Sequence, residues 1–219
     1  MKTAATVVLV IALISFLHKD HKHDKKAEVF SKPPITYQEG STGGQPAVLY
    51  PEQQPTQPPV QYTGNDERAK QQIIAFAKSA YKSLAISDST LDEVAGKIVQ
   101  YATMYGIDYA LAAALVARES RFNPNATSPH GAQGLCQLIP STAQTLGVTS
   151  PYDIDQNLNG GFKYFRSLLD RYSDRADQID LALASYLLGP KAVTPGGLSE
   201  KTQGYVNDIL AARDQISSK

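Results

Sequence analysis

The acidic residue best placed to take part in catalysis is Glu119, which ends an apolar helical run and precedes a polar loop. Leu111, Leu115 and Glu119 are spaced by four residues, so the carboxyl group continues the helix face that packs against a core. Burial against apolar neighbours and a place in the last helical turn both disfavour the charged form. A carboxyl group that keeps its proton near neutrality can act as a general acid.

Two arginines, Arg118 and Arg121, flank this acid. The alternative to a catalytic role is therefore that Glu119 forms an ordinary ion pair or is simply exposed to solvent. The following stretch, "GAQGLCQL", favours chemistry. Gly131 and Gly134 permit close backbone approach, and Gln137 carries an amide that can bind a polar ligand. Such a loop, folded back over an acid, predicts a cleft that binds sugar.

The elements that position this acid are predicted to be helices. Apolar residues recur at spacings of three and four, and no run of Val, Ile or Thr alternates long enough for a sheet, so the fold class is mostly α. The expected helices are one through Ile73, Ala77, Ala80, Tyr81 and Leu84; one through Leu91 to Tyr105, capped at Ser89 or Thr90; one over about 108–120; a short one after Pro140; one with its stripe from Leu158 to Tyr172; and two over roughly 177–188 and 199–215.

The stretch "ARESRFNPNATSPHGAQGLCQLIPSTAQTLGV" resembles the soluble lytic transglycosylase family, whose domain is similar to goose-type lysozyme. The resemblance continues through "DIDQNLNGGFKYFRSLLDRY", "ASYLLGP" and "TQGYVNDIL", and it covers about residues 90 to 212. The matching positions are Glu119-Ser120, Phe122-Asn123-Pro124, Ser128, Gly134-Leu135-Cys136-Gln137, Pro140, Asn157, Gly161, Tyr164, Leu168, Leu169, Arg171, Tyr172, Thr202, Tyr205 and Val206. Several ordered motifs at suitable separations are more specific than any one of them.

By position, the resemblance implies that Glu119 is the sole catalytic acid and base. It implies a lysozyme-like helical domain in which the following residues meet the saccharide: Ser128 near the scissile sugar, the loop residues Gly134, Leu135, Cys136 and Gln137, the cleft tyrosine Tyr186, and Tyr205 as an aromatic lining. Cys136 replaces the family's usual methionine, which is expected to enlarge a subsite. Leu187 replaces an asparagine, which removes one polar contact.

The implied activity is that of a peptidoglycan lytic transglycosylase, which cleaves the β-1,4 bond between N-acetylmuramic acid and N-acetylglucosamine and leaves a 1,6-anhydro end. No cofactor or metal is expected. Asp153 and Asp155 are interpreted as helix-start residues, not as a second catalytic acid. Lysozyme-type hydrolysis on the same fold, and a non-catalytic scaffold that binds glycan, stay open as alternatives. A hydrolase built on Cys136 and His130 is disfavoured, because no third group orients the pair.

The bulk composition excludes some partners. Lys plus Arg and Asp plus Glu each number 21, so there is no electrostatic reason to expect nucleic acid. The single cysteine forms no zinc-site spacing. The Asn125 glycosylation motif is interpreted as incidental.

The N-terminal region predicts attachment to a membrane. The uncharged run from Thr3 to Leu17 spans about 22 Å as a helix, against a hydrocarbon core of about 30 Å, and no small-residue cleavage pattern follows. Residues 1–26 are therefore expected to be a retained membrane anchor or signal-anchor, residues 27–65 a flexible Pro/Gln-rich linker, and residues 66–219 the catalytic domain. His18, His21 and His23 are interpreted as a solvated flank instead of a metal site.

This arrangement favours a catalytic domain that faces the periplasm and cell wall beside a membrane, with peptidoglycan strands as its partner. A phage virion is the alternative location. A larger envelope-spanning or virion assembly, for genome delivery, secretion or conjugation, is the expected setting, with routine wall remodelling as the other possibility.

Overall fold

The computed structural model of the protein describes residues 64–193 and 197–218, and over these residues the predicted mostly α class is confirmed. Seven helices are present in the described ranges: α1 Gly64–Ala80, α2 Asp88–Met104, α3 Tyr109–Ser120, α4 Pro140–Thr145, α5 Ile154–Arg171, α6 Gln178–Leu188 and α7 Glu200–Ser217. The β pairing in these ranges consists of two isolated bridges, which join Gln133 to Thr127 and to Leu138. The proposed anchor, its three histidines and the linker up to residue 63 lie outside the described residues.

Two details of the helix prediction are wrong. The first helix ends at Ala80, so Tyr81 and Leu84 lie beyond it; Tyr81 instead donates a hydrogen bond of 3.1 Å from its phenol to the carbonyl of Ala117. The N-cap of α2 is Ser87, whose hydroxyl accepts from the backbone N–H of Thr90 at 3.1 Å. A cap side chain must reach an amide two or three residues ahead, and Ser87 satisfies this condition for Thr90.

Helix α3 is the centre of the domain, because every residue from Ala110 to Ala117 is buried. It packs against α1, α2 and α7. Five of these eight residues are alanine, and such small side chains allow neighbouring helices to approach on all sides. Asp108 caps its start by accepting from the N–H of Leu111 at 2.8 Å. The buried helix therefore holds the residues at its far end in a rigid frame.

Helix α5 is the platform for the loop that follows α3. It packs against α2 and α6, and α6 packs in turn against α7. Asp153 caps α5 by accepting from the N–H of Gln156 at 2.9 Å, as the sequence predicts. Asp155, in its first turn, accepts a 2.7 Å hydrogen bond from the Tyr101 phenol and pairs with Lys97 at 2.7 Å. Asp153 thus stabilises the start of α5, and Asp155 joins α5 to α2.

No helix within residues 64–193 and 197–218 is long and apolar enough to cross a bilayer. In the same part of the chain, no group of three or more His, Cys, Asp or Glu side chains is arranged to hold a metal ion.

Candidate active site

Glu119 is the penultimate residue of α3 and is half-buried. Its Oε1 accepts a hydrogen bond of 2.6 Å from the phenol of Tyr205, which lies in α7. The two flanking arginines contact other groups: Arg118 lies 3.6 Å from the carboxylate of Asp208, and Arg121 lies over the ring of Tyr81. The acid therefore has a buried phenol as a hydrogen-bond donor at the point where α3 meets α7.

The phenol of Tyr205 keeps its proton. Its side chain is buried, and burial raises the pKa of Tyr205 well above its usual value of 10.0. The negative charge of Glu119 and the hydrogen bond to it raise this pKa further, while Arg118 acts in the opposite direction. A phenol that stays protonated across the physiological range is a permanent donor to the carboxyl group.

The chain turns sharply directly after Glu119. Arg121 and Phe122 have φ values of 54° and 62°, a left-handed conformation that is costly for residues with bulky side chains. Burial of Phe122 against Tyr81, with ring centroids 6.4 Å apart, compensates part of this cost. The turn ends the helix immediately after the acid, so the next segment can fold back beside it.

The loop approaches α5 closely at Gly134. This glycine has φ of +75°, and a Cβ there would collide with the carbonyl oxygen of Pro151 and the amide of Asn157. At Gly161 of α5, an added Cβ would collide with the Sγ of Cys136. Gly134 must therefore be glycine, because the backbone there lies too close to its neighbours for a Cβ, and Gly161 leaves the space that the side chain of Cys136 occupies.

Asn157 fixes the loop to α5 through three hydrogen bonds. Its Oδ1 accepts from the N–H of Cys136 at 2.7 Å, and its Nδ2 donates to the carbonyls of Gln133 at 3.0 Å and Pro151 at 2.6 Å. In the sequence, Asn157 stands out only as part of a motif. Its position on the apolar stripe of α5 could have indicated its role, because a buried amide needs hydrogen-bond partners.

Comparison with known proteins assigns the domain that contains this site. A family model described as "Transglycosylase SLT domain" matches residues 97–208, just over half of the chain and the part that carries both Glu119 and Tyr205. This chain belongs to the SLT transglycosylase domain family. The resemblance noted in the sequence is thereby confirmed.

Two relatives show which kinds of protein the chain is similar to. The chain is 42% identical over 106 residues to a transglycosylase of Enterobacteria phage PRD1, covering 48% of this chain and 37% of that protein. It is also 42% identical over 108 residues to a membrane-bound lytic murein transglycosylase F of Pseudoalteromonas translucida, covering 48% of this chain and 23% of the relative. The chain thus matches well under half the length of both relatives.

A solved structure shares the fold. The X-ray structure of an inactive mutant of the lytic transglycosylase Slt from Pseudomonas aeruginosa aligns with a TM-score of 0.50 at 20% identity. The alignment covers 68% of this chain and 30% of that one. At this identity the likeness concerns the arrangement of helices.

Two polar residues of the loop that follows α3, Gln137 and Ser128, form hydrogen bonds within the loop itself. The Nε2 of Gln137 donates to the carbonyl of Gly134 at 2.9 Å and to that of Ala126 at 3.2 Å. The hydroxyl of Ser128 accepts from the N–H of Ala132 at 3.0 Å and closes a tight turn. These two polar side chains therefore shape the loop, whatever they also contribute to binding.

The side chains of Leu135 and Cys136 are fully buried. The Sγ of Cys136 faces Gly161 in α5, so its side chain fills the core beneath the loop. The expectation that the smaller Cys136 enlarges a subsite gains no support from this placement. His130 is exposed, whereas the thiol is buried, which removes the accessible nucleophile that a Cys/His hydrolase needs.

Tyr186 is buried beneath the same loop. Its phenol donates to the carbonyl of Cys136 at 2.7 Å, and burial raises the pKa of Tyr186 well above 10.0. Its ring lies beside those of Tyr164 and Phe165, with centroids 5.4 and 5.9 Å away. The adjacent Leu187, where the family has asparagine, is buried in the core.

Tyr152, an exposed aromatic residue that contacts the loop, was not among the residues expected from the sequence. The phenol of Tyr152 lies 2.8 Å from the hydroxyl of Thr127 and accepts from the Nε2 of Gln133 at 3.0 Å. Its side chain is 40% exposed. No periodic pattern marks such a residue, because it lies in the short segment before α5.

Proposed function

We propose that this chain is a peptidoglycan lytic transglycosylase that uses Glu119 as its single acid and base. The observation that carries the proposal is the hydrogen bond from Tyr205 to Glu119 at the end of the central helix of an SLT domain. The names of the relatives, a phage transglycosylase and a membrane-bound lytic murein transglycosylase, support peptidoglycan as the substrate class.

In the first step, Glu119 protonates the glycosidic oxygen that leaves N-acetylmuramic acid. The 2-acetamido oxygen of the same sugar attacks the anomeric carbon as the bond to the leaving oxygen breaks. Most glycosidases use a second carboxylate at this point, and a substrate that supplies its own nucleophile removes that need. The reaction therefore requires one acid from the protein.

In the second step, the ionised Glu119 accepts the proton of the sugar's C6 hydroxyl. The C6 oxygen attacks the anomeric carbon, displaces the acetamido oxygen and closes the 1,6-anhydro ring. The glutamate regains the proton that it lost, so the enzyme returns to its starting state and no water is consumed. One group can serve both steps because its protonation state alternates between them.

Tyr205 supports both steps through its position on Oε1. A protonated phenol donates to this oxygen, so we expect the neutral carboxyl group to carry its own proton on the other oxygen, Oε2, and to deliver it to the sugar from there. After the first transfer, the same phenol stabilises the carboxylate with a hydrogen bond to a charged acceptor, the stronger class of hydrogen bond.

The acids that could have served as a second carboxylate in the motif region are engaged elsewhere. Asp153 caps α5, and Asp155 binds Tyr101 and Lys97. This observation supports the single-acid route over a two-carboxylate mechanism.

The experiment uses the whole 219-residue chain on purified peptidoglycan, with mass spectrometry of the soluble products. Products with 1,6-anhydro ends are expected from the wild type and none from Glu119→Gln. Glu93→Gln, which alters an exposed glutamate of α2, is the matched control and should retain full activity. Thermal unfolding should give similar midpoints for all three proteins.

Each other result identifies a different function. Reducing ends in place of anhydro ends would mean that water replaces the C6 hydroxyl and the enzyme is a lysozyme-type muramidase. Binding of glycan without products from the wild type would identify a non-catalytic scaffold. Undiminished digestion by Glu119→Gln would remove the glutamate from the mechanism.

The cellular setting is part of the same proposal. Residues 1–26 are proposed to anchor the protein in a membrane, with the SLT domain on the cell-wall side, either in a bacterial envelope assembly or in a phage virion. Local opening of the wall beside a membrane suits genome delivery, secretion, conjugation or remodelling. Membrane fractionation of the full chain and of a variant lacking residues 1–26 tests the anchor, since only the full chain should sediment with membranes.

A further inference from the structure

Arg118, immediately before Glu119, reaches from α3 across to α7. Its guanidinium carbon lies 5.2 Å from the ring centroid of Tyr205, and its Nε lies 3.6 Å from the Oδ2 of Asp208. Tyr205 and Asp208 are three residues apart in α7 and therefore share one face of that helix. One arginine thus contacts both the ring whose phenol binds Glu119 and an acid one turn further along.

The contact with Tyr205 has an electrostatic consequence. A cation over the face of a phenol ring is attracted by the ring and withdraws electron density from the hydroxyl, so the hydroxyl becomes a better donor. Consistent with this direction, Arg118 lowers the pKa of Tyr205, against the stronger effect of burial. A better donor on Glu119 is most valuable when the carboxylate is ionised, between the two steps of the reaction.

Asp208 is suited to hold the arginine. It is half-buried, and burial raises its pKa while Arg118 lowers it. The guanidinium therefore has an anionic partner on the same helix as the ring that it contacts. Without such a partner, a long side chain that is more than one-third exposed would sample many rotamers.

We propose that Arg118 is a positioning residue, which holds the ring of Tyr205 so that its phenol stays on Glu119, and that Asp208 holds Arg118 in turn. The inference rests on the proposed function and extends it. The competing explanation is that Arg118 merely ties α3 to α7, two helices that already pack against each other.

A double-mutant cycle separates the two explanations. The variants are Arg118→Gln, Tyr205→Phe and the double variant, measured as kcat and KM on soluble glycan strands prepared from peptidoglycan. Arg118→Gln is expected to lower kcat by about 2- to 30-fold, the range of a cation–ring contact, with KM nearly unchanged. In the Tyr205→Phe background, which keeps the ring but lacks the hydroxyl, the same substitution should have little further effect on kcat.

Two more variants and one control test the roles of the positive charge and of Asp208. Arg118→Lys keeps a positive charge, so its kcat should be close to that of the wild type. Asp208→Asn should lower kcat, but by less than Arg118→Gln does. Arg213→Gln is the matched control, because this arginine of α7 pairs with its neighbour Asp214 and should leave kcat unchanged. A loss of kcat that is equal in both Tyr205 backgrounds, or an Arg118→Gln enzyme as active as Arg213→Gln, would overturn the proposal.

A measurement without turnover keeps the inference testable if the proposed function fails. In protein labelled with 13Cζ-tyrosine, the NMR resonance of Tyr205, assigned by its absence in Tyr205→Phe, should move in Arg118→Gln and stay in place in Arg213→Gln. Absence of turnover by the wild type would disprove the proposed function. An unmoved resonance in Arg118→Gln would disprove the role of the arginine.

Discussion

The side-chain amide of Asn157 and the backbone of Cys136 are joined by a hydrogen bond of 2.7 Å, which ties the loop that follows α3 to α5 across 21 residues of sequence. Two further bonds from the same amide reach the carbonyls of Gln133 and Pro151. Because the amide is almost completely buried, water cannot replace these bonds if the side chain is lost.

Asn157→Ala is therefore expected to destabilise the domain by about 2 to 4 kcal/mol, since it removes three hydrogen bonds at a buried position. Urea unfolding of both proteins measures this difference. Asn207→Ala, which alters an exposed asparagine of α7, is the control and should stay within about 0.5 kcal/mol of wild type. A loss below about 1 kcal/mol at Asn157 would mean that the loop finds other partners.

Tyr205→Phe is expected to lower kcat by about 10- to 100-fold, the loss that corresponds to one hydrogen bond to a charged group. The aromatic ring remains, so KM should change little. Initial rates on soluble glycan strands give both constants. An increase in KM with unchanged kcat would instead mean that Tyr205 only lines the cleft, as the family resemblance alone implied.

Gly161→Ala and Gly204→Ala should change stability in opposite directions, although both glycines lie in helices. An added Cβ at Gly161 would overlap the side chain of Cys136, and such overpacking costs about 1 to 3 kcal/mol. Gly204 has open space around the same position, so alanine should stabilise α7 there by about 0.5 to 1 kcal/mol. Thermal unfolding distinguishes the two, and a shift of the same sign in both variants would contradict the close contact.

The buried tyrosines predict a loss of stability in alkaline solution. The pKa of Tyr186 is raised well above its usual value of 10.0, so the folded protein holds this proton more tightly than the unfolded chain does. The stabilisation is complete below pH 10 and is lost as the pH rises above it, at about 1.4 kcal/mol per pH unit for one such group.

Tyr186→Phe tests this dependence. The variant should be less stable than wild type at pH 7, because it lacks the hydrogen bond to the carbonyl of Cys136. Above pH 10 its free energy of unfolding should fall less steeply than that of the wild type, because the variant lacks the phenol whose pKa is raised in the folded protein. Urea unfolding between pH 7 and pH 11 measures both effects, and equal slopes would show that Tyr186 ionises normally in the folded protein.

The amino-acid sequence alone determined the helices of this domain and the residue proposed as its acid. Spacings of three and four residues are local, so the stripe through Leu111, Leu115 and Glu119 already placed the acid in line with buried residues of α3, although the structure buries the other faces of this helix as well. The family resemblance added Tyr186 and Tyr205, without saying which atoms they contact. Helix ends were harder to predict: the sequence suggested Ser89 or Thr90 as the cap of α2, whereas the structure has Ser87 in that position.

Tertiary structure decided the contacts that make the site. The hydrogen bond between Tyr205 and Glu119 joins residues 86 positions apart, and it forms because α7 packs against α3. The burial of Cys136 likewise depends on a glycine of α5 that lies far along the chain. Local patterns encode which face of a helix is apolar, whereas the partner of a given side chain depends on the packing of the whole domain.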